Sequence, residues 1–439
     1  MVKQLVFTLA LLVTIGFFGF TTYRFINYFK FTKPAFPVRD LGKRLWVMMD
    51  VAIGQTKIFR QPVMGFFHAL VFWGFCVIAI GSIEMIFDGL FGTERFLEFL
   101  GPVYNLISAS ADIFGLLVGI SIIIFISRRL FFHIKRFEGI EMKPVSHKDA
   151  NLALVMILAL MVSLLSMNMA YYAGIQQSGK SLAGIYPVSS LLAGFLAGVE
   201  PARLGVIYEI SWWSHILLIF IFANILPYSK HFHVFMSVPN VFLSRLEPLG
   251  KLPNMDSVMK EVQMMLDPNA SLSAESTDVP VERFGIKDAE DVTWKNYLDS
   301  LACTECGRCT SVCPANLTGK RLSPRKIIMD VRARMKEKGP GLIKNGRLFS
   351  DHKSLVRDFI SEEELWACTT CNACARECPI NINHPILIVD MRRYLVLEEA
   401  SAPGGIKAVF TNIENNGAPW QFSMEDRLLW AQNIELRIA

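Results

Sequence analysis

Two stretches of the sequence share one cysteine spacing: CTECGRCTSVCP at residues 303–314 and CTTCNACARECP at residues 368–379. Both follow C-x2-C-x2-C-x3-C-P, in which three thiolates can bind one face of an iron–sulfur cubane. In two-cluster ferredoxins the fourth cysteine binds the other cluster. The spacing therefore predicts two [4Fe–4S] clusters with crossed ligands. The first would take Cys303, Cys306, Cys309 and Cys378, and the second Cys368, Cys371, Cys374 and Cys313.

Other uses of these cysteines fit the spacing less well. Zinc sites have four ligands without the final x3-Cys-Pro. Closely spaced repeats also favour metal ligation in a reducing compartment over disulfides. The chain has nine cysteines, and the ninth, Cys76, lies in an apolar segment.

Apolar residues dominate the chain before residue 240. Hydrophobic residues make up 52% and charged residues 19% of the 439 residues, whereas soluble domains carry about 25% charged residues. Since a spanning helix needs about 20 apolar residues, the sequence predicts an all-α protein: a five-helix transmembrane bundle followed by a cytoplasmic helical dicluster domain. The shorter apolar stretch 186–198 is predicted to be interfacial or re-entrant, with a sixth span as the alternative. The five predicted spans are 5–28, 62–87, 103–127, 152–175 and 207–226.

Lysine and arginine are unevenly distributed between the loops, which indicates the orientation of the bundle. The loops after the first and third spans are rich in basic residues, and the other two loops are poor in them. We therefore expect a multi-pass protein of the bacterial cytoplasmic (inner) membrane, in contact with lipid, with its N-terminus outside and its cysteine motifs in the cytoplasm. The net charge of +5 is small, so no nucleic-acid partner is expected.

Histidines in or beside membrane spans are candidate functional residues, because polar side chains are costly there. His68 in the second span and His233 beyond the fifth lie at one depth and could bind a haem iron from two sides. The alternatives are a buried, hydrogen-bonded His68 and a membrane-surface His233. In one continuous helix, His215 and His233 would share a face roughly 27 Å apart, and His231 would lie on the far side. An interfacial position would explain His215 as well as a ligand role does.

Three further stretches carry a family resemblance: FHALVFWG at 67–74, PYSKHFH at 227–233 and SVP at 237–239. They resemble the haem-b subunit of respiratory nitrate reductase and related subunits of membrane heterodisulfide reductases. In that family, four histidines on two helices bind two haems.

This chain matches three of those four histidines. The resemblance implies that His68 and His233 ligate an inner haem b and that His215 ligates an outer one. Ile78 stands where the fourth histidine would be and cannot bind iron. One haem b is therefore expected and the second stays open, since it would need a single axial ligand or a substitute such as Met167 or Met169, whose alternative role is packing.

Three carboxylates lie near the outer ends of the spans: Glu84, Asp112 and Glu209. The favoured interpretation is solvated charge at the membrane interface. The alternative is a proton path or the lining of a quinone site.

The segment between the two cysteine motifs contains a predicted helix. Ser323 can cap it, and Pro324 suits its first position. Its apolar stripe, predicted to be core, consists of Ile327, Ile328, Val331 and Met335. A helical insertion at this point resembles the ferredoxin domain of succinate dehydrogenase iron–sulfur subunits and of the small heterodisulfide reductase subunit. The stretches around it resemble fused membrane iron–sulfur oxidoreductases of the heterodisulfide reductase group.

These features predict four parts: a haem-b membrane domain (1–235), a linker (236–283), a 4Fe-4S dicluster domain (284–400) and a partner-docking tail (401–439). The tail resembles the family segment that leads into a cysteine-rich CCG catalytic domain, and we expect this chain to lack that domain. A cytoplasmic CCG-domain iron–sulfur protein, an electron-transfer flavoprotein, or both, are the expected partners.

The predicted function is an oxidoreductase subunit that passes electrons between such a partner and a quinone, with menaquinone favoured. The chemistry of the substrate would lie on the partner, and no catalytic residue is assigned. A non-catalytic redox or iron–sulfur sensor is the alternative. A transporter is disfavoured, because the sequence shows no inverted repeat and no charged path through the midplane.

Overall fold

The computed structural model describes residues 1–266 and 283–432. Within these ranges the chain is helical, with two isolated β-bridges and no strand. The expected all-α fold class is therefore confirmed.

Five helices of the first half are long and apolar enough to cross a membrane, and they match the five predicted spans. Each helix from α3 to α7 begins with a proline, which suits the first helical position because its missing N–H costs no hydrogen bond there. The helices of this half are α1 (Val2–Phe29), α2 (Leu41–Val47), α3 (Pro62–Phe91), α4 (Pro102–Phe131), α5 (Pro144–Ser178), α6 (Pro187–Leu192), α7 (Pro201–Ile225) and α8 (His233–Phe242), and those able to span are α1, α3, α4, α5 and α7.

The apolar stretch 186–198 forms the short helix α6 and a 3-10 turn ending at Leu196, so it does not span. The carboxylate of Asp112 on α4 binds the start of α6. It accepts hydrogen bonds from the backbone N–H of Val188 at 2.8 Å and of Ser189 at 2.9 Å. Asp112 is fully buried, so its interpretation as a solvated interface charge is wrong; the carboxylate caps a buried helix end.

The other two outer carboxylates differ from each other. Glu84 is buried and accepts a hydrogen bond from the backbone N–H of Leu97 at 3.0 Å. Glu209 is half-exposed and pairs with Lys3 at 2.7 Å. The interpretation as solvated charge is therefore confirmed for Glu209 and wrong for Glu84.

The fifth spanning helix does not continue to His233. α7 ends at Ile225, two 3-10 turns follow, and α8 begins at His233. Pro227 lies in the first turn and has no N–H to donate to the helix. The expectation that His215 and His233 share one face of a continuous helix is therefore wrong, because the two residues belong to different helices.

The second half is a cluster of shorter helices around one core. The predicted helix after Ser323 is confirmed, since the Ser323 side chain accepts from the backbone N–H of Lys326 and the predicted apolar stripe is buried. The helices of this half are α9 (Asp256–Leu266), α10 (Trp294–Ala302), α11 (Arg308–Ser311), α12 (Pro314–Leu317), α13 (Pro324–Asn345), α14 (Glu362–Trp366), α15 (Ala373–Glu377), α16 (His384–Leu397) and α17 (Gly404–Asn416).

The dicluster half packs directly against the inner end of the membrane bundle. The ring of Phe29, the last residue of α1, lies 4.7 Å from the ring of Tyr297 on α10. The side-chain amide of Asn240 on α8 donates to the carbonyl of Ile380 at 2.9 Å. The predicted linker therefore begins inside a packed helix, and the part of it between residues 267 and 282 lies outside the described residues.

Arg325 on α13 is the most deeply buried cation at this junction, with 1% of its surface exposed. Its guanidinium pairs with Glu141 at 2.7 Å. It also donates to the backbone carbonyls of Arg136 at 2.8 Å and Glu138 at 2.7 Å. One side chain of the dicluster half thus binds three residues of the loop between α4 and α5.

Replacing Arg325 by alanine should lower the free energy of unfolding by about 3–5 kcal/mol, because the change leaves Glu141 buried without its partner. Chemical denaturation in detergent, followed by circular dichroism, measures this. Arg321→Ala is the matched control, since Arg321 forms an exposed ion pair with Glu363 and pairs of that kind contribute about 0–1 kcal/mol. Equal losses in the two variants would contradict the role of Arg325.

Candidate metal centres

The eight motif cysteines form two groups in space, and each group combines the two motifs. Four thiols line one cavity, which we call the first cysteine group: Cys303, Cys306, Cys309 and Cys378. The thiol of Cys374 has the other three as its neighbours, which completes the second cysteine group: Cys313, Cys368, Cys371 and Cys374. The structure thus places the fourth cysteine of each motif with the first three of the other, as the crossed arrangement predicts.

The two motif loops turn in the same way. The third and fifth positions have positive φ in both: Glu305 and Gly307 at +58° and +74°, and Thr370 and Asn372 at +54° and +59°. This repeated left-handed geometry turns the three cysteines of each loop toward one point. At Gly307 a Cβ atom would lie 2.2 Å from the carbonyl oxygen of Arg136, so the position also needs glycine for space.

The separation of the thiols fits a cluster better than a single ion. Among the described residues, no three His, Cys, Asp or Glu side chains are close enough to share one metal ion. A tetrahedral zinc ion, about 2.3 Å from each sulfur, holds its thiolates about 3.8 Å apart. A four-iron cluster binds one thiolate per iron and needs a wider set of sulfurs.

In the first cysteine group, burial and nearby positive charge have opposite effects on the pKa of the thiols. Burial raises the pKa of Cys303 to about 11 and of Cys378 to about 12. Two cations lie beside these cysteines, and their positive charge favours the thiolate form. Arg332 donates to the carbonyl of Cys303 at 3.0 Å, and Lys57 donates to the carbonyl of Cys378 at 3.3 Å. The second group is more open, since Cys371 is exposed.

The first cysteine group rests on the loop that precedes α3. Arg308, beside Cys309, donates to the carbonyls of Lys57 at 3.0 Å and Ile58 at 3.3 Å. Gln55, in the same loop, lies with its side-chain oxygen 3.2 Å from Nδ1 of His68. One loop therefore connects the first cysteine group to the first candidate haem ligand.

His68 and His233 lie near each other although they belong to α3 and α8. Nδ1 of His68 faces the Gln55 side-chain oxygen, and Nδ1 of His233 lies 3.3 Å from the carbonyl of Lys230. Since carbonyl oxygens only accept hydrogen bonds, each Nδ1 carries the proton. Each Nε2 is then left with the lone pair that binds a metal. Each of the two residues thus has the tautomer that ligation of a haem iron through Nε2 would need.

His215 shows the same arrangement near the outer end of the bundle. It is buried, and its Nδ1 lies 3.0 Å from the carbonyl of Leu160. The ring also lines a cavity with Ile78 and Met167. The burial contradicts the interfacial alternative, and Ile78 offers no ligand atom opposite the ring. Nδ1 of His231 lies 2.9 Å from the hydroxyl oxygen of Ser229, within the turns between α7 and α8.

The outer cavity holds polar groups without hydrogen-bond partners among the described residues. They are Nε and Nη2 of Arg95, the hydroxyl of Tyr186 and Oδ1 of Asn168. The guanidinium of Arg95 stacks on Tyr171, with 4.4 Å from its central carbon to the ring centroid. Glu84 lines the same cavity. The cavity therefore offers hydrogen-bond donors and a carboxylate together, inside an apolar bundle.

Sequence reasoning missed three of these residues: Gln55, Arg95 and His384. Gln55 and Arg95 lie in loops, where a polar residue is ordinary. Their one unusual property, a positive φ of 56° and 59°, is visible only in the structure. His384, which lines the cavity of the first cysteine group, follows Cys378 by six residues and carries no local signal.

Comparison with known proteins matches residues 302–382 to the 4Fe-4S dicluster domain. The probable iron-sulfur-binding oxidoreductase FadF of Bacillus subtilis is 31% identical over 88% of this chain and 55% of its own length. The EtfAB:quinone oxidoreductase of Syntrophomonas wolfei is 26% identical over 90% of this chain and 55% of its own length. A probable membrane-anchored ferredoxin of Chromohalobacter salexigens is 35% identical over 38% of this chain and 26% of its own length. No solved structure matches significantly.

The chain spans about half the length of the first two of these relatives. Subunits C and D of heterodisulfide reductases match shorter segments. The resemblance to iron–sulfur oxidoreductases of the heterodisulfide reductase group is therefore confirmed: the chain carries a 4Fe-4S dicluster domain, and its homologues are iron–sulfur oxidoreductases, a membrane-anchored ferredoxin and heterodisulfide reductase subunits.

Proposed function

We propose that this chain transfers electrons between a soluble redox partner and a quinone in the membrane, through two [4Fe–4S] clusters and a haem b. The observation that carries the proposal is the single loop that links the two kinds of site. The loop held by Arg308 carries Lys57, which binds the carbonyl of Cys378, and Gln55, which binds His68. A sensor has no need to connect a cluster to a haem in this way.

In this proposal the first and second cysteine groups each hold one cluster, and Nε2 of His68 and of His233 hold the haem iron. Bound there, the three groups supply one-electron carriers, whose redox chemistry is their own. The protein spaces the carriers and surrounds them with fixed charge. His215 is the candidate ligand of a second haem.

The proposed orientation rests on where the basic loops lie. The basic loop after the first span contacts the dicluster half through Lys33, which pairs with Asp291 at 3.7 Å, and Arg60, which pairs with Glu377 at 3.7 Å. The basic loop after the third span contacts it through Glu141, which pairs with Arg325 at 2.7 Å. The basic loops and the cysteines thus share one side of the bundle. Because basic loops stay in the cytoplasm, we place the clusters there and the N-terminus outside, in a bacterial inner membrane.

The outer cavity is the proposed quinone site. Quinone oxygens accept hydrogen bonds, and the unpartnered N–H groups of Arg95 provide donors for them. Tyr104 and Trp212 give the cavity aromatic walls, and Glu84 supplies a carboxylate for protons. The name of one relative, a quinone oxidoreductase, supports this ligand class.

Replacing Arg95 by leucine should weaken quinone-linked turnover about 10- to 100-fold. A hydrogen bond to a charged group contributes about 1.5–3 kcal/mol, which corresponds to that factor. Steady-state kinetics with a menaquinol analogue measures the effect, and haem and iron contents should not change. Arg203→Leu serves as the control, since Arg203 is an exposed arginine on the same side. Full activity of the Arg95 variant would move the quinone site elsewhere.

The proposed partner is a CCG-domain iron–sulfur protein or an electron-transfer flavoprotein. The tail beyond α16 presents large apolar side chains to solvent, which marks a binding surface. They are Phe410, Ile413, Trp420, Phe422, Leu428, Leu429 and Trp430. The more open second cysteine group would exchange electrons with this partner.

An optical spectrum of the purified protein before and after a menaquinol analogue tests the proposed function. We expect a b-type α band to appear on addition of quinol, because haem and quinone lie on one path. A band that appears only with dithionite would reject the link to quinone. Absence of haem would reject the roles of His68 and His233 and leave an iron–sulfur membrane anchor.

A further inference from the structure

His384, the first residue of α16, is buried beside the first cysteine group. Only 1% of its surface is exposed. It lines the cavity formed by the four thiols of that group. Among the described residues its Nδ1 has no hydrogen bond of good geometry, although the backbone of Ile382 lies close enough to interact with the ring.

An unpaired polar group in a protein interior costs about 1–3 kcal/mol, and such groups are rare in native structures. A histidine that packs only against apolar atoms could be replaced by leucine without this cost. The cavity that His384 lines is also lined by the four thiols of the first cysteine group. The sulfurs in that cavity are therefore the candidate hydrogen-bond partners of the ring.

The second cysteine group has no counterpart of this histidine. His384 follows Cys378, the fourth ligand of the first group, by six residues. The residue six positions after Cys313, the fourth ligand of the second group, is Gly319, which has a positive φ of 83° and open space around it. At this position the first site thus has an imidazole that the second site lacks.

We propose that His384 donates a ring N–H to a sulfur of the cluster held by the first cysteine group and raises the reduction potential of that cluster. The proposal rests on the cluster ligation proposed above. Reduction adds one electron and therefore negative charge to the cluster. A hydrogen bond to a charged acceptor is stronger than a neutral one, and hydrogen bonds to the sulfurs are among the factors that set cluster potentials.

This difference gives the two clusters an order. The first cysteine group lies against the loop that holds His68, and the second is open to solvent at Cys371. Because the first cluster has the higher reduction potential, an electron that enters at the second cluster is favoured to move to the first cluster, which lies next to the membrane bundle. In this proposal His384 acts through the cluster: it sets the potential of the cluster that receives electrons from the soluble partner by way of the second cluster.

The test is a redox titration of the full-length protein, monitored by electron paramagnetic resonance, with His384→Leu and His384→Gln. In the leucine variant we expect the reduction equilibrium of one cluster to shift about tenfold toward the oxidised form, which is 59 mV for a one-electron couple. The other cluster and the iron content should stay unchanged. Glutamine retains an N–H donor and should give less than half of the shift. His352→Leu is the control, since His352 lies on the exposed surface.

An unchanged potential in an iron-replete leucine variant would overturn the inference. Equal shifts for leucine and glutamine would overturn it too, because packing and not the N–H would then be responsible. If the leucine variant fails to bind iron, His384→Met provides the same comparison with a side chain that also lacks a donor. A wild-type protein without two clusters would instead reject the ligation proposal, which separates the two failures.

Discussion

Replacing Cys378 by alanine is expected to remove the cluster that Cys303, Cys306 and Cys309 help to hold. The non-haem iron content should fall from about eight to about four atoms per chain, because each [4Fe–4S] cluster needs four thiolates. The structure gives the reason: Cys378 belongs to the second motif in sequence but lines the cavity of the first motif in space.

Iron content alone cannot say which cluster is lost, but a double variant can. If Cys303 and Cys378 hold the same cluster, the Cys303→Ala/Cys378→Ala protein should keep about four irons, the same as each single variant. The Cys313→Ala/Cys378→Ala protein removes a ligand from each group and should keep none. Iron analysis and electron paramagnetic resonance of the reduced proteins measure both.

Cys76→Ala is the matched control, since Cys76 lies exposed on α3, outside both groups. It should retain all iron. The reverse pattern, with four irons in Cys313→Ala/Cys378→Ala through loss of only one cluster, would show that the two ligand sets are arranged differently from the packing of the thiols.

The second large effect is expected at His68. Alanine at His68 or at His233 should abolish the inner haem b, because six-coordinate ligation needs both Nε2 atoms. The double variant should lose no more haem than either single variant. A pyridine haemochrome assay measures this. If His215 binds a second haem, about half of the haem should remain in these variants; otherwise none should.

Gln55 provides a finer test of the same site. Its side-chain oxygen accepts a hydrogen bond from Nδ1 of His68, with 3.2 Å between oxygen and nitrogen. Loss of such a supporting contact lowers metal affinity about 10–100-fold. Gln55→Leu should therefore bind haem weakly while His231→Ala binds it fully, since His231 pairs with Ser229. Normal haem in His68→Ala would remove the histidine pair from the proposal.

The parts of this fold that depend on local sequence could be predicted. Apolar runs of sufficient length predicted the five spans, and Ser323 with Pro324 predicted the start of α13. The repeated cysteine spacing predicted which thiols come together. Each of these follows from residues that are neighbours in the chain.

The parts that depend on distant residues could not be predicted. Asp112 looked like an interface charge because its partner, the start of α6, is 76 residues away. The break before α8 needed Pro227 to outweigh an otherwise helical pattern. His384 and Arg95 are unremarkable in sequence, and their lack of partners is a property of the cavities that form around them.

The way the two halves bind each other has a consequence for how such chains can change over evolution. Arg308 and Arg325 reach backbone carbonyls of Lys57, Ile58, Arg136 and Glu138 as well as the carboxylate of Glu141. Main-chain oxygens are present whatever the side chain. Most substitutions in these loops should therefore leave the docking intact, while a single inserted or deleted residue would displace every acceptor at once. The docking of the two halves should therefore be more sensitive to the length of these loops than to their composition.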